Sequence, residues 1–415
     1  MKNLLKKAQK SRIRIEELLN QIALFLFMII RGVTAKKIFD SRKEHTILIS
    51  IKTDVGNFSA SAPNGKSKGK YEAKPYQKNL EGDIKALKKF SDYFSEEILE
   101  KFDDLRRVED IVDRHVGANT LFALESAILK AIAKEQKKQI WQLINKNSKK
   151  SPRLIGNCIG GGKHSEAKKK KPDFQEFLLI PNTKSIEESL EKNKKAKEET
   201  KNLLKKIDEK FKERKNDEDA WMTSLNDKET LEVLKKLRIS LGVDVAASSF
   251  YKRKKYQYEN PIFKRTSEEQ KSYVSNLIKN FNLLYIEDPF HEEDFESFAK
   301  LLKKFPNSLI TGDDLTVTNY KRLKKAVEMK SINAIIVKPN QCGSLLEVKR
   351  VCELAKKSDI KIIFSHRSGE TPETVLADLA FGFGADFFKC GITGKEREAK
   401  IKRLIEIEKS LKFSH

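Results

Sequence analysis

Leu241-Gly242-Val243-Asp244, Leu283-Leu284-Tyr285-Ile286-Glu287, Leu309-Ile310-Thr311-Gly312-Asp313, Ala334-Ile335-Ile336-Val337-Lys338, Lys361-Ile362-Ile363-Phe364-Ser365-His366 and Asp386-Phe387-Phe388-Lys389 share one pattern. Each is a short apolar run of strand length that ends in a chemically active residue, and a stretch with helical periodicity follows it. The terminal residues stand at positions 244, 287, 313, 338, 366 and 389, spaced 43, 26, 25, 28 and 23 apart. A unit of about 25 residues suits a strand, a helix and two short loops. Six such units, with further elements upstream, predict an α/β fold built on a closed β/α (TIM-like) barrel. A doubly wound open sheet is the competing architecture.

In a β/α barrel the functional groups stand at the C-terminal ends of the strands. One Asp or Lys at a strand end is usually a cap or a surface charge. Six chemically active ends in succession would instead converge on one mouth. Three carboxylates packed there repel one another unless a cation binds between them. Oxygen-only ligands select a hard ion, Mg²⁺ rather than zinc. Two lysines facing such an ion are predicted to have lowered pKa values, because like charge disfavours the protonated form. A neutral lysine is a usable general base.

The chain has 415 residues, 39% of them apolar, enough for a barrel and a smaller companion domain. Its 84 Lys and Arg against 60 Asp and Glu give a formal charge of +24. The basic residues alternate with acidic ones along helix-periodic segments and form no aromatic-studded stripe, so a solvated surface is expected and no obligatory nucleic-acid partner. Cys158, Cys342, Cys352 and Cys390 form no CxxC pair, which fits a reducing, cytoplasmic setting. The apolar run Ile22–Ile30 is too short to span a bilayer, so no transmembrane segment is expected. Residues 1–30 read as an added amphipathic helix, with a peripheral membrane helix as the minor alternative. Residues 31–150 read as an N-terminal α+β capping domain: strands to about residue 60, a Pro/Gly/Ser/Lys loop over 62–69, and helices over 80–144. Residues 151–415 read as the barrel, with a charged helix over 182–215.

Several strings sharpen this outline. They are Ser365-His366-Arg367-Ser368-Gly369-Glu370-Thr371, Gly312-Asp313-Asp314-Leu315-Thr316-Val317-Thr318-Asn319, Ile286-Glu287-Asp288-Pro289, Val337-Lys338-Pro339-Asn340-Gln341-Cys342-Gly343-Ser344, Phe174-Gln175-Glu176-Phe177 and Asp244-Val245-Ala246-Ala247-Ser248. Together they resemble the enolase (phosphopyruvate hydratase) family, from about residue 31 to 412. The resemblance implies a lyase that interconverts 2-phospho-D-glycerate and phosphoenolpyruvate plus water. It implies Asp244, Glu287 and Asp313 as ligands of Mg²⁺, and Ser67 as ligand of a second Mg²⁺ that binds with substrate. Lys338 matches the base that takes the C2 proton, and Lys389 a lysine at the substrate carboxylate. Arg367 and Ser368 match the phosphate grip, with His366 beside them. His164 matches a loop histidine closing over the substrate, and Gln175 and Glu176 a pair near the leaving hydroxyl. Glu218 matches the proton donor. The resemblance also implies a homodimer or higher homo-oligomer.

The chain departs from the family in its loops. The donor string Gly-Asp-Glu-Gly-Gly becomes Asn216-Asp217-Glu218-Asp219-Ala220, without the glycines that let a loop turn tightly. Asp217 and Asp219 are expected to raise the Glu218 pKa. The lid string Pro-Ser-Gly-Ala-Ser-Thr-Gly becomes Pro63-Asn64-Gly65-Lys66-Ser67-Lys68-Gly69. Lys168–Lys171 enlarge the loop after His164, and Ser41-Arg42-Lys43-Glu44-His45-Thr46 replaces a string that supports the subunit contact. These changes leave two further readings open: an enolase-like enzyme for another α-proton carboxylate, and a non-catalytic barrel kept for binding.

Overall fold

The computed structural model describes residues 29–66, 69–165 and 170–412. The expected N-terminal helix therefore lies outside the described residues, except at its end. There Ile30 is already in a strand, because its buried side chain joins the sheet core.

Strands β1 (Ile30–Phe39), β2 (His45–Thr53) and β3 (Gly56–Ser61) form an antiparallel meander. In β2, Ile47, Ile49 and Ile51 alternate inward and are fully buried, as a one-faced sheet requires. They pack on the helix Ala118–Glu135, which is buried on nearly every side. The helical stretch expected over 80–144 is broken into Leu80–Phe90, Leu105–Val112, Ala118–Glu135 and Ile140–Asn145. One break falls at Gly117, whose backbone lies so close to Tyr76 that a Cβ there would sit 2.3 Å from the Tyr76 Cα.

The barrel closes through β4 (Arg153–Gly160), β5 (Glu176–Ile180) and β6 (Ser240–Asp244). A small hairpin sheet, β7 (Tyr251–Lys252), β8 (Lys255–Glu259) and β9 (Ile262–Arg265), interrupts the sequence. The barrel resumes with β10 (Tyr285–Glu287), β11 (Leu309–Gly312), β12 (Ala334–Val337), β13 (Lys361–Ser365) and β14 (Phe387–Gly391), which returns to β4. Closure decides against the open sheet. The interior layer is Ile155, Leu178, Ile180, Tyr285, Ala334, Ile336, Ile363 and Phe387, so the barrel is a packed core. The charged helix spans Ile186–Ile207, shorter than expected, with Ser185 accepting from the Glu188 amide at its N-terminus.

One strand breaks the parallel pattern. β5 runs antiparallel to both β4 and β6. Its first residue, Glu176, therefore pairs with Asp244 and Gly160 at the rim where the other strands end. The rule that chemistry sits at C-terminal strand ends is obeyed by position, and β5 meets it with its N-terminal end. Among the described residues no helix is long and apolar enough to cross a membrane.

Candidate active site

The strand ends and their loops line a cleft that opens to solvent, with about 450 Å³ of empty space including its mouth. His164, Gln175, Glu176, Glu218, Asp244, Asp313, Lys338, His366, Arg367, Ser368 and Lys389 line it, all expected from the sequence. Glu287 lies below this lining, fully buried. Ser67 falls outside the described residues.

Adjacent strands bring the first acids together. Asp244 and Glu287 are direct register partners on β6 and β10, while Asp313 follows the end of β11. The Lys389 amine lies 3.0 Å from Asp244 Oδ2, 2.5 Å from Glu287 Oε2 and 2.8 Å from Glu176 Oε2. Lys338 Nζ contacts Asp313 Oδ2, and Gln341 Nε2 donates to Asp313 Oδ1 at 3.0 Å. Glu287 Oε1 is buried without a hydrogen-bond partner. Burial, and then Asp244, push the Glu287 carboxyl well above the usual range. Asp288, below the mouth, accepts from the Asp313 and Asp314 amides at 3.1 and 2.6 Å, and burial with Asp314 raises its pKa too.

An orphaned carboxylate oxygen, donors that are all oxygen, and carboxyls pushed toward neutrality fit a hard divalent cation. Among the described residues, Asp288, Asp313 and Asp314 bring ligand atoms within 4.8 Å of one another, as do His164, Glu176 and Glu218. The expected trio is gathered less tightly: Asp313 belongs to the first of these groups, while Asp244 and Glu287 meet through the amine of Lys389.

Two sequence expectations concern charge, and the one for Glu218 needs correction. Burial pulls the Lys338 pKa down, but the Asp313 carboxylate outweighs it and the net shift is upward. Lys389 likewise is raised well above its usual value, because Asp244, Glu176 and Glu287 overcome burial. The expectation has the lysines facing only a cation, whereas they rest on carboxylates. Glu218 shifts opposite to expectation. Burial raises it, yet His164, helped by a hydrogen bond with Glu176 and by Arg397, draws it well below the usual carboxylate range. Asp217 and Asp219 do not crowd it, since Asp217 pairs with His164 Nδ1 at 3.0 Å and Asp219 turns to Lys197. Burial, reinforced by Arg397, Lys389 and Lys338, holds His366 neutral.

Further residues support the site, and two of them, Asn157 and Glu72, carry no sequence signal. Asn157, inside β4, donates from Nδ2 to Glu218 Oε2 at 2.8 Å and belongs to no motif. Glu72 accepts from Arg367 Nη2 at 3.2 and 2.9 Å. Asn340 accepts from Arg367 Nη1 at 3.2 Å, and it does sit within one of the strings that carry the resemblance. Ser368 Oγ accepts from the Lys66 amide at 2.9 Å and from Arg42 Nη1 at 2.8 Å. Lys66 follows Gly65, where a Cβ would lie 1.8 Å from Arg367 Nη2, so the lid reaches the guanidinium only through glycine.

The segment that delivers Gln175 and Glu176 is held by buried acids. Asp227 Oδ1 accepts from the Phe174 amide at 3.0 Å, and Asp173 accepts from the Glu259 and Asn260 amides at 2.7 and 3.0 Å. Burial, and then Asp173, push the Asp227 carboxyl up to about 8 from 3.8. The unfolded chain therefore gives up this proton near pH 4 and the folded chain near pH 8. Between them the unfolded state binds fewer protons, so this group lowers stability as pH rises. Asp227→Asn keeps the acceptor and removes the charge. It is expected to be several kcal/mol more stable than the parent above pH 8, with no gain below pH 4, by urea unfolding across pH. An equal gain at both ends would sink this account.

Two family models match the chain: "Enolase, N-terminal domain" over residues 30–144 and "Enolase, C-terminal TIM barrel domain" over residues 150–414. The enolase of Pyrobaculum aerophilum is 35% identical over 402 residues, covering 90% of this chain and 94% of that protein. The enolase of Archaeoglobus fulgidus is 34% identical over 403 residues, covering 92% of this chain and 97% of its own. That of Methanosphaera stadtmanae is 34% identical over 407 residues, with the same coverage, 92% and 97%.

Proposed function

The chain belongs to the enolase family, and from that premise we propose how its residues divide the reaction. It is a divalent-cation-dependent lyase that interconverts 2-phospho-D-glycerate and phosphoenolpyruvate plus water. The observation that carries the assignment is that Lys338 and Glu218 open onto one cavity, with Arg367 and Ser368 on its wall.

Arg367 and Ser368 bind the phosphate: the fork of Arg367 suits its oxygens, and the Ser368 hydroxyl, already accepting two hydrogen bonds, turns its proton outward. Lys389 meets the substrate carboxylate. Lys338 takes the C2 proton, and Glu218, oriented by Asn157 and flanked by His164 and Glu176, gives a proton to the departing C3 hydroxyl. Gln175 and His366 complete the wall, and His164 with the lid helps exclude water. Mg²⁺ held by Asp244, Glu287 and Asp313, with a second ion at Ser67 when substrate binds, would supply charge stabilisation to the substrate carboxylate as C2 loses its proton, and would take up oxygens that now keep Lys338 protonated. A lysine base working beside one or two Mg²⁺ ions is a general pattern of the enolase superfamily.

The barrel from residue 151 carries the chemistry, and the domain of residues 31–150 closes over it, supplying Lys66 and Glu72. The protein works in the cytoplasm as a homodimer or higher homo-oligomer.

The test is metal removal. Phosphoenolpyruvate formation should stop after treatment with a chelator and return with Mg²⁺, and Mg²⁺ should raise the melting temperature. Turnover indifferent to chelation would refute the cation's role. Inert protein that still exchanges the α-proton of a different acid would favour a changed substrate.

A further inference from the structure

The loop that carries Glu218 has lost its flanking glycines, yet it still makes the turn. Asp219 adopts φ 63°, in the left-handed region that glycine enters freely and other residues seldom do. Asn216 Oδ1 accepts from the Glu218 and Ala220 amides at 3.0 and 2.9 Å, closing the turn from inside. Asp219 is held from outside. Lys197 Nζ lies 3.1 Å from Asp219 Oδ2 and also donates to the Asp219 carbonyl. Lys215 Nζ adds a contact at 3.2 Å, and Thr393 Oγ1 donates to the same carboxylate.

Lys197 is the unusual member. It lies on the inner face of the helix Ile186–Ile207, with its side chain only 4% exposed. Its amine is 5.6 Å from the Trp221 ring centroid, and Trp221 Nε1 donates to the Lys197 carbonyl at 2.9 Å. A buried ammonium is costly unless it is fully partnered, and every partner here belongs to one device. Lys197 also donates to Thr393 Oγ1, two residues past β14, the strand that carries Lys389. The loop bearing Glu218 is thereby tied to the strand bearing the carboxylate-binding lysine.

We propose that Lys197 is a positioning residue for dehydration: with Asp219 and Thr393 it clamps the Glu218 loop, doing by ion pairing what glycines do by conformational freedom. The inference rests on Glu218 as the proton donor. It predicts a selective defect, because Lys338 stands past β12 against Asp313 and does not touch the clamp.

The experiment compares Lys197→Met, the double variant Lys197→Met/Asp219→Gly, and Glu218→Gln. Two rates are read for each: dehydration of 2-phosphoglycerate, and exchange of its C2 proton with D₂O by NMR. Melting temperature is recorded alongside. Lys197→Met should lose about 10²-fold in dehydration, the scale of a small misplacement, with exchange within about threefold of the parent. The double variant should recover about tenfold of that loss, since glycine holds φ near 63° unaided. Equal losses in both rates for Lys197→Met, or no recovery in the double variant, would overturn the clamp. Selective loss in Glu218→Gln beside either of those results would leave the donor assignment standing alone. Full dehydration by Glu218→Gln would instead overturn the donor assignment, and the clamp with it.

Discussion

Lys338→Ala should lower phosphoenolpyruvate formation by about 10⁴-fold or more, and C2 proton exchange should fall with it. The C2 proton is weakly acidic because the neighbouring carboxylate already carries charge, so the step depends on a base placed at that carbon. Lys338 stands just past β12, anchored by its amide on Thr318 Oγ1 at 2.9 Å. Its amine rests on Asp313, and that contact creates a complication. Removing the lysine leaves a buried carboxylate with Gln341 as its one side-chain donor among the described residues, at a cost of about 3 kcal/mol. A folding defect could then pass for a catalytic one. Lys338→Arg separates the two. Arginine keeps the charge beside Asp313 but stays protonated at every working pH, so it cannot serve as a base. The expected result is a folded protein, with a melting temperature near that of the parent and both rates lost. A Lys338→Arg enzyme that keeps more than about a tenth of the parent exchange rate would remove Lys338 from the base role.

The outcome for Lys338 marks the boundary between what local sequence conveys and what it does not. Strand ends are legible because an apolar run followed by a charged residue is a local pattern, and positions 244, 287, 313, 338, 366 and 389 all reach one rim. The direction of β5 is not local. It depends on pairing with β4 and β6 across the chain, so Glu176 arrives at the rim from the end that the strand rule would not choose. Charge states are less local still. An ion and like charges alone would lower the lysine pKa values, whereas the fold places Asp313 against Lys338. Asp217 and Asp219 flank Glu218 in sequence, and proximity along the chain would have them repel it. The turn at Asn216 sends one to His164 and the other to Lys197. Asn157 and Glu72 carry no signal, since each acts through a partner far along the chain. The loops, where this chain differs from its family's strings, are where position had to be seen rather than read.

Glu218→Gln should separate the two halves of the reaction, with dehydration down by about 10³-fold and C2 exchange largely retained. Glu218 is drawn well below the usual range by His164, with Glu176 and Arg397 helping, whereas burial raises Glu176 to about 8 against the pull of Lys389, with Glu218 adding to the rise. Up to about pH 8 the two carboxyls therefore hold one proton between them, on the Glu176 side. A substrate hydroxyl entering between them can be protonated from that shared store, with Glu218 aimed by Asn157. The sign of the pH dependence follows. Dehydration needs the pair singly protonated, so its rate should fall as pH rises through about 8, while proton abstraction by an amine should not fall in that window. Glutamine preserves the shape and the Asn157 contact but cannot pass a proton. In that variant C2 exchange in D₂O should continue while loss of the hydroxyl stalls, and the fall near pH 8 should disappear from whatever dehydration remains. If exchange and dehydration decline together, or the alkaline fall persists unchanged, the proton does not come from this pair.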